Sequence, residues 1–290
     1  MSEPGKTDHG LFGPASMSWR IMGEPVIWVA GFRAMYLQAL HPRVIRGTWQ
    51  NTSFARPGET WGRFVRTTEF VTVRTYGTTT QVSRAGQRVR KIHATLTGTD
   101  ADGSTFRLDE PELLLWVHCA EISSYAEVAR RSGMRLSARD LDEFVDEQRR
   151  SAAVVGLDPA AVPASMAELD AYYDDMRPRV YACREAWQVL LRSFNPEVPL
   201  LLTGLKLAVP PLSTLAFASL PRWARKMYGV PGSPVTDPVI DVAATAALRL
   251  ARQSTTHIPR ELLYLPAARA AHRRERDRAR QLHQAAHSTT

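Results

Sequence analysis

The chain has 290 residues, 44% apolar, 23% charged and 8% aromatic, with a net charge of +8. These values exclude a disordered chain, a collagen-like fibre and a disulfide scaffold, since the only cysteines are Cys119 and Cys183. The length suits one large domain with a substantial core.

Residues 1–15 are polar and lack the apolar run of a secretion signal, so a flexible N-terminus is expected. From Ser16 the apolar residues Trp19, Met22, Ile27, Ala30, Met35, Leu37 and Leu40 recur at helical spacing. His41-Pro42 interrupts that run, and a second helix can begin at Pro42. Residues 51–59 read as a loop, 60–76 as a helix, and Thr78–Val82 as short and β-prone. Gly86–Thr97 reads as an amphipathic helix ended by Gly98, followed by a loop or small hairpin around Asp102-Gly103. Asp109 then looks like the cap of a helix with Pro111 in its first turn, running to Arg131 and stopped by Gly133. Ser137 caps the next helix, and others are expected at 166–176, 179–193, 211–227 and 237–252. The uncharged stretch Leu207–Pro221 contains two prolines and is too broken to span a membrane; a buried hairpin is expected, with a membrane-surface contact as the alternative. The tail His272–Arg280 holds five arginines against Glu275 and Asp277. The expected architecture is all-α, a single domain over 16–265 of about nine helices, with a basic C-terminal extension over 266–290. Two reduced thiols in apolar helical sequence point to the cytoplasm.

No dinucleotide fingerprint, P-loop, zinc motif or nucleophile elbow is present, which leaves histidine as the carrier of chemistry. His118 lies within Leu113-Leu114-Leu115-Trp116-Val117-His118-Cys119-Ala120, with Leu114, Ile122 and Tyr125 on its helix face. One imidazole on an apolar helix face is what a haem axial ligand requires, and a satisfied core histidine is the plain alternative. Arg90, His93 and Thr97 share a polar stripe that can orient a bound oxygen species or an anion; a solvated face is its plain alternative. His41, at the helix break, either lines a pocket or caps a carbonyl. Arg56, Arg63 and Arg66 supply cations of the kind that hold haem propionates, or simply solvate the surface.

Taken together these blocks resemble the MpaB-like oxygenase family, related to the latex-clearing proteins, the bacterial rubber oxygenases. The blocks are Leu37-Gln38-Ala39-Leu40-His41-Pro42, Thr52-Ser53-Phe54, Arg66-Thr67, Gly77-Thr78, Arg90-Lys91-Ile92-His93-Ala94-Thr95-Leu96-Thr97-Gly98-Thr99 and Leu114-Leu115-Trp116-Val117-His118-Cys119-Ala120. The likeness extends over about residues 16–265. It implies a globin-like all-α fold binding haem b, with His118 as the axial iron ligand. His93 and Arg90 would then act on the distal side, with His41, Arg63 and Arg66 around the cofactor. The implied reaction is O2-dependent cleavage or hydroxylation of an apolar, lipid-like substrate. A haem protein without oxygenase activity is one alternative. An arginine-rich helical interaction protein, binding membrane or nucleic acid through its tail, is another; no specific nucleic-acid recognition motif accompanies that tail, and peripheral membrane contact is the milder form.

Overall fold

The computed structural model describes residues 7–52, 59–196 and 203–288. Ser53-Phe54 and Arg56 lie outside them. The described residues are predominantly helical, as the apolar periodicity implies, and one short hairpin is the only sheet among them.

The fold is organised around α6 (Pro111–Arg131), which is buried over most of its length. Its N-cap is Glu110, one residue beyond the expected Asp109, because the Asp109 carboxylate instead accepts from the Arg107 guanidinium. Helix α2 (Ile27–Ala39) lies along one side of α6. There the Trp116 indole N–H donates to the Gln38 carbonyl at 3.1 Å, and Arg33 donates to Ser124 Oγ at 2.8 Å. Helix α8 (Met166–Met176) meets a second side, where Trp116 and Tyr173 pack edge to face and the Tyr173 and Ser123 hydroxyls are 2.7 Å apart. Helix α7 (Ala138–Val155) closes a third side, with Leu114 and Ala152 in one apolar cluster. Helix α4 (Glu59–Tyr76) is tied to α6 by an ion pair described below.

Helix α3 (Pro42–Gln50) begins where Pro42 breaks α2, as expected. Helix α5 (Thr79–His93) differs from the reading of its sequence. It starts at Thr79 rather than Gly86, and it ends at His93. The β-branched Thr78–Val82 was expected to be strand-like. A reciprocal cap overrides that propensity, the Thr78 hydroxyl accepting from the Gln81 N–H while the Gln81 side chain accepts from the Thr78 N–H. Residues beyond α5 form β1 (Thr97–Thr99), antiparallel to β2 (Thr105–Arg107), with Gly98 opposite Phe106. A Cβ on Gly98 would lie 2.3 Å from the Phe106 ring. Gly98→Ala is therefore expected to cost about 1–3 kcal/mol by overpacking, read as a lower urea midpoint at unchanged slope.

Helices α9 (Arg184–Phe194), α10 (Thr203–Ala218), α11 (Arg222–Met227) and α12 (Thr236–Ser254) cover the far side of α2 and the end of α6. The expected hairpin at 207–221 is instead a helix that continues through Pro210 and Pro211. Packing against α2 and α9 offsets the two missing donors, with Ser213 Oγ donating to the Ser193 carbonyl.

Among the described residues, the first and last helices pack against each other. Helix α1 (Met17–Met22) carries Trp19, which packs 5.1 Å from Tyr76 and 5.3 Å from His272. His272 belongs to α14 (Pro266–Ser288), which follows the short α13 (Arg260–Leu263). Ala268 and Ala271 are buried, and Arg274 donates to the Tyr76 carbonyl. The expected basic extension is thus an amphipathic helix: Ala268 and Ala271 face inward, while Arg269, Arg273, Arg276 and Arg280 are exposed. Phe12 is buried in the same cluster, and Asp8 accepts from the Thr79 N–H, so the described part of the N-terminal segment is packed as well. Short helices such as α1, α11 and α13 carry too few turns to show a period, which is why about nine helices were expected and more are present.

Candidate functional site

His118 sits midway along α6 and is 5% exposed. Leu114 and Ile122, one turn to either side of it, are buried too. Burial holds its pKa down at about 4, the Glu121 carboxylate opposing that shift and the Arg74 guanidinium adding to it. The imidazole is therefore neutral at physiological pH. Among the described residues it makes no hydrogen bond. Burial of this imidazole has a pH signature. The unfolded chain takes up the histidine proton near pH 6.5, the folded chain only near pH 4. The stability that His118 contributes is full above pH 6.5 and falls by about 3 kcal/mol as pH drops toward 4. His118→Leu is expected to remove that part of the slope, measured by urea unfolding from pH 7.5 to 4.

One turn beyond His118, Glu121 receives both Arg74 amino groups, at 2.5 and 3.2 Å. Both side chains are almost fully buried. Glu121 also hydrogen-bonds the buried Tyr125, whose hydroxyl is driven to higher pKa first by burial and then by the carboxylate. The Arg74 guanidinium lies 5.6 Å above the Phe70 ring. Histidine, carboxylate, guanidinium and phenol thus form one buried polar group between α4 and α6, inside an apolar wall. Sequence reading found His118 and Tyr125 but missed Arg74 and Glu121; the signal was Glu121 at the i+3 position from His118.

A second group forms where α4 begins. Arg63 is half-buried and donates to the hydroxyls of Thr52 and Thr48. Burial and the neighbouring Arg66 both lower its pKa. Its charge in turn reaches His93, the last residue of α5, whose pKa is lowered first by burial and then by Arg63. His93 Nδ1 is buried with no hydrogen-bond partner among the described residues.

The remaining expected residues stand elsewhere. Arg66 is exposed. Arg90 is exposed as well, and donates to the Val154 carbonyl, which ties α5 to α7. His41 is buried at the start of α3, 6.0 Å from the Trp116 ring. Trp116 and His118 are two residues apart on a helix and so project from nearly opposite sides of it. His41 therefore lies across α6 from His118. It lines a cavity of about 270 Å³ with Arg43, Arg46, Asp100, Glu112 and Arg179, its Nε2 3.9 Å from Glu112. Burial lowers the His41 pKa, and Glu112 opposes the shift.

An apolar face accompanies the second group. The rings of Trp28 and Phe32 on α2 and Phe64 on α4 pack 6.1–6.2 Å apart, and all three remain partly exposed. Among the described residues no cluster of three or more metal-ligating side chains occurs, and no helix is long and apolar enough to cross a membrane.

A family model described as "ER-bound oxygenase mpaB/B'/Rubber oxygenase, catalytic domain" matches residues 19–253, from Trp19 in α1 to the last turn of α12. No curated protein and no solved structure matches the chain.

Proposed function

Since the chain belongs to the mpaB/rubber oxygenase family and spans its catalytic domain, we propose that it is a haem b-dependent oxygenase with His118 as the iron ligand. O2 is its co-substrate and the organic substrate is apolar and lipid-like. The observation that carries this reading is the buried, neutral imidazole of His118. A ligating imidazole must be unprotonated, and one that lacks a hydrogen-bond partner has a lone pair to give. The residues present fit such a group: a neutral donor, apolar neighbours and a buried carboxylate one turn away.

When bound, haem supplies the redox chemistry that activates O2. The chain supplies the rest. Leu114, Ile122 and Tyr125 keep water from the imidazole. Glu121, held by Arg74, places a carboxylate one turn away that opposes the loss of basicity caused by burial. The cation of Arg63, supported by two threonine hydroxyls, suits a carboxylate such as a propionate. The partly exposed Trp28, Phe32 and Phe64 offer an apolar substrate a matching wall. Two buried free cysteines accord with a cytoplasmic setting.

A second reading has its own observation. His93 Nδ1 is buried and unpartnered among the described residues, and Arg63 keeps the ring toward its neutral form. In that reading His93 ligates iron and His118 is structural.

The test is the ultraviolet–visible spectrum of the chain expressed with haem precursor, as isolated and after reduction under CO. A Soret band at near-stoichiometric haem, then a product that forms from an apolar alkene or hydrocarbon only when O2 is present, is expected. A folded chain with no Soret band sinks the proposal. Haem binding without any O2-dependent product leaves a haem protein that is not an oxygenase.

A further inference from the structure

We propose that the cavity between the N-terminus of α3 and the first turn of α6 is a binding site for a small oxyanion, a phosphate group.

The cavity measures about 270 Å³, several times the roughly 30 Å³ that one water takes in the liquid. It lies across α6 from His118, so the site stands apart from the haem reading. His41, Pro42 and Arg43 bring the start of α3 to it. That helix has nine residues, no acidic residue in its first turn and no side chain capping its first N–H groups. An uncapped helix N-terminus favours a bound negative charge.

His41 is the second, independent mark. Its side chain is 8% exposed, and Nδ1 is buried with no hydrogen-bond partner among the described residues. Nε2 lies 3.9 Å from Glu112, beyond hydrogen-bond reach. A buried imidazole with neither nitrogen bonded is costly, and an oxyanion in the cavity gives the Nε2–H an acceptor.

Arg43, Arg46 and Arg179 line the same space with the Tyr181 hydroxyl. Each guanidinium carries five N–H donors. Asp100 accepts from Arg43 Nε and from one Arg46 amino group, and Arg46 also bonds Tyr181. Glu112 accepts from one Arg179 amino group. Asp175, outside the cavity, accepts from the other, and Glu110, also outside it, stands 3.7 Å from Arg43. The lining thus sets three cations against two carboxylates, with most of the donors still to give. A divalent cation fits less well, because both lining carboxylates are already held by guanidinium groups.

A bound anion also acts on His41. Glu112 of α6 and Asp100 of the hairpin favour its protonation, while burial, Arg43 of α3 and Arg179 beyond α8 oppose it. A dianion reinforces the first set. Its binding therefore takes up a proton at His41 and tightens as pH falls from 8 to 6.

The experiment is titration calorimetry of the full chain with inorganic phosphate, with glycerol 3-phosphate, and with sulfate, whose charge is constant from pH 8 to 6. Saturable one-to-one binding of phosphate is expected, with proton uptake when sulfate binds. Arg43→Gln/Arg179→Gln alters two half-exposed side chains and leaves Asp100 its bond to Arg46. The double variant should keep the wild-type circular dichroism and melting curve while its phosphate Kd rises roughly tenfold or more. His41→Gln should lose the proton uptake, and His118→Ala should bind phosphate as the wild type does. Tighter binding of glycerol 3-phosphate than of phosphate assigns the site to a phosphate monoester, and the reverse assigns it to the free ion. No saturable binding at millimolar phosphate overturns the proposal. So does binding that the double variant leaves unchanged, or proton uptake that persists in His41→Gln. Weak binding that does not distinguish phosphate from chloride would mark an adventitious ion only and overturn it as well.

Discussion

His118→Ala is expected to abolish the Soret band while the protein remains folded and helical. His118 is the one side chain of α6 with a nitrogen lone pair to give, and alanine offers nothing to take its place. Truncating it leaves a cavity, which costs about 2–4 kcal/mol, so circular dichroism must accompany the spectrum. The cavity also makes the test selective. Free imidazole added to His118→Ala can enter the space and supply the missing lone pair, and the Soret band should return in proportion to imidazole added. A purely structural histidine would not give that rescue. His93→Ala is the counterpart. It should retain haem if His118 ligates the iron, and lose it, with rescue by imidazole, if His93 does. Full haem occupancy in His118→Ala would sink the assignment.

Arg74→Met is expected to destabilise the protein by about 3–5 kcal/mol, the cost of leaving a buried carboxylate unpaired. The Glu121 side chain is only 12% exposed in its place between α4 and α6. Losing Arg74 removes two charge-assisted hydrogen bonds and the counter-charge at once. Glu121→Leu should cost a similar amount by stranding Arg74, whose Nε already lacks a partner among the described residues. The double variant Arg74→Met/Glu121→Leu should recover most of the loss, because neither charge is then buried alone. Urea unfolding at constant slope measures all three. If the single variants cost less than about 1 kcal/mol, the pair is solvated rather than buried.

These two predictions rest on parts of the molecule that were unequally legible in the sequence. The course of α6 could be read directly, since Pro111, a long apolar run and Gly133 bracket it. The Ser137 cap of α7 was equally plain, with Asp140 completing the reciprocal bond. Thr78–Val82 misled, because strand propensity is a weak local preference and a two-bond cap outweighs it. The hairpin pairing of Gly98 with Phe106 was only half visible: the turn at Gly103 could be seen, the glycine's steric reason could not. In the site, His118 was legible and its ion pair was not. Arg74 and Glu121 are 47 residues apart, and nothing local to either reports the other. His41 and His118 both lay in apolar helical context, yet the rotation of α6 between Trp116 and His118 separates them. Facing is set by helix phase and by which neighbours arrive, and a motif records neither.

The joining of Trp19 and Tyr76 to His272 has a bearing on how the protein is made. The earliest helix cannot cover its tryptophan until α14 has been synthesised, almost the whole length of the chain later. On the ribosome, Phe12, Trp19 and Tyr76 must wait as an open apolar surface while α2 to α12 gather around α6. Pulse-labelled hydrogen exchange during refolding should find the amides of α1 and α14 acquiring protection together, after those of α2 and α6. For as long as that interval lasts, the nascent protein presents a chaperone with an open aromatic cluster, which α14 then covers.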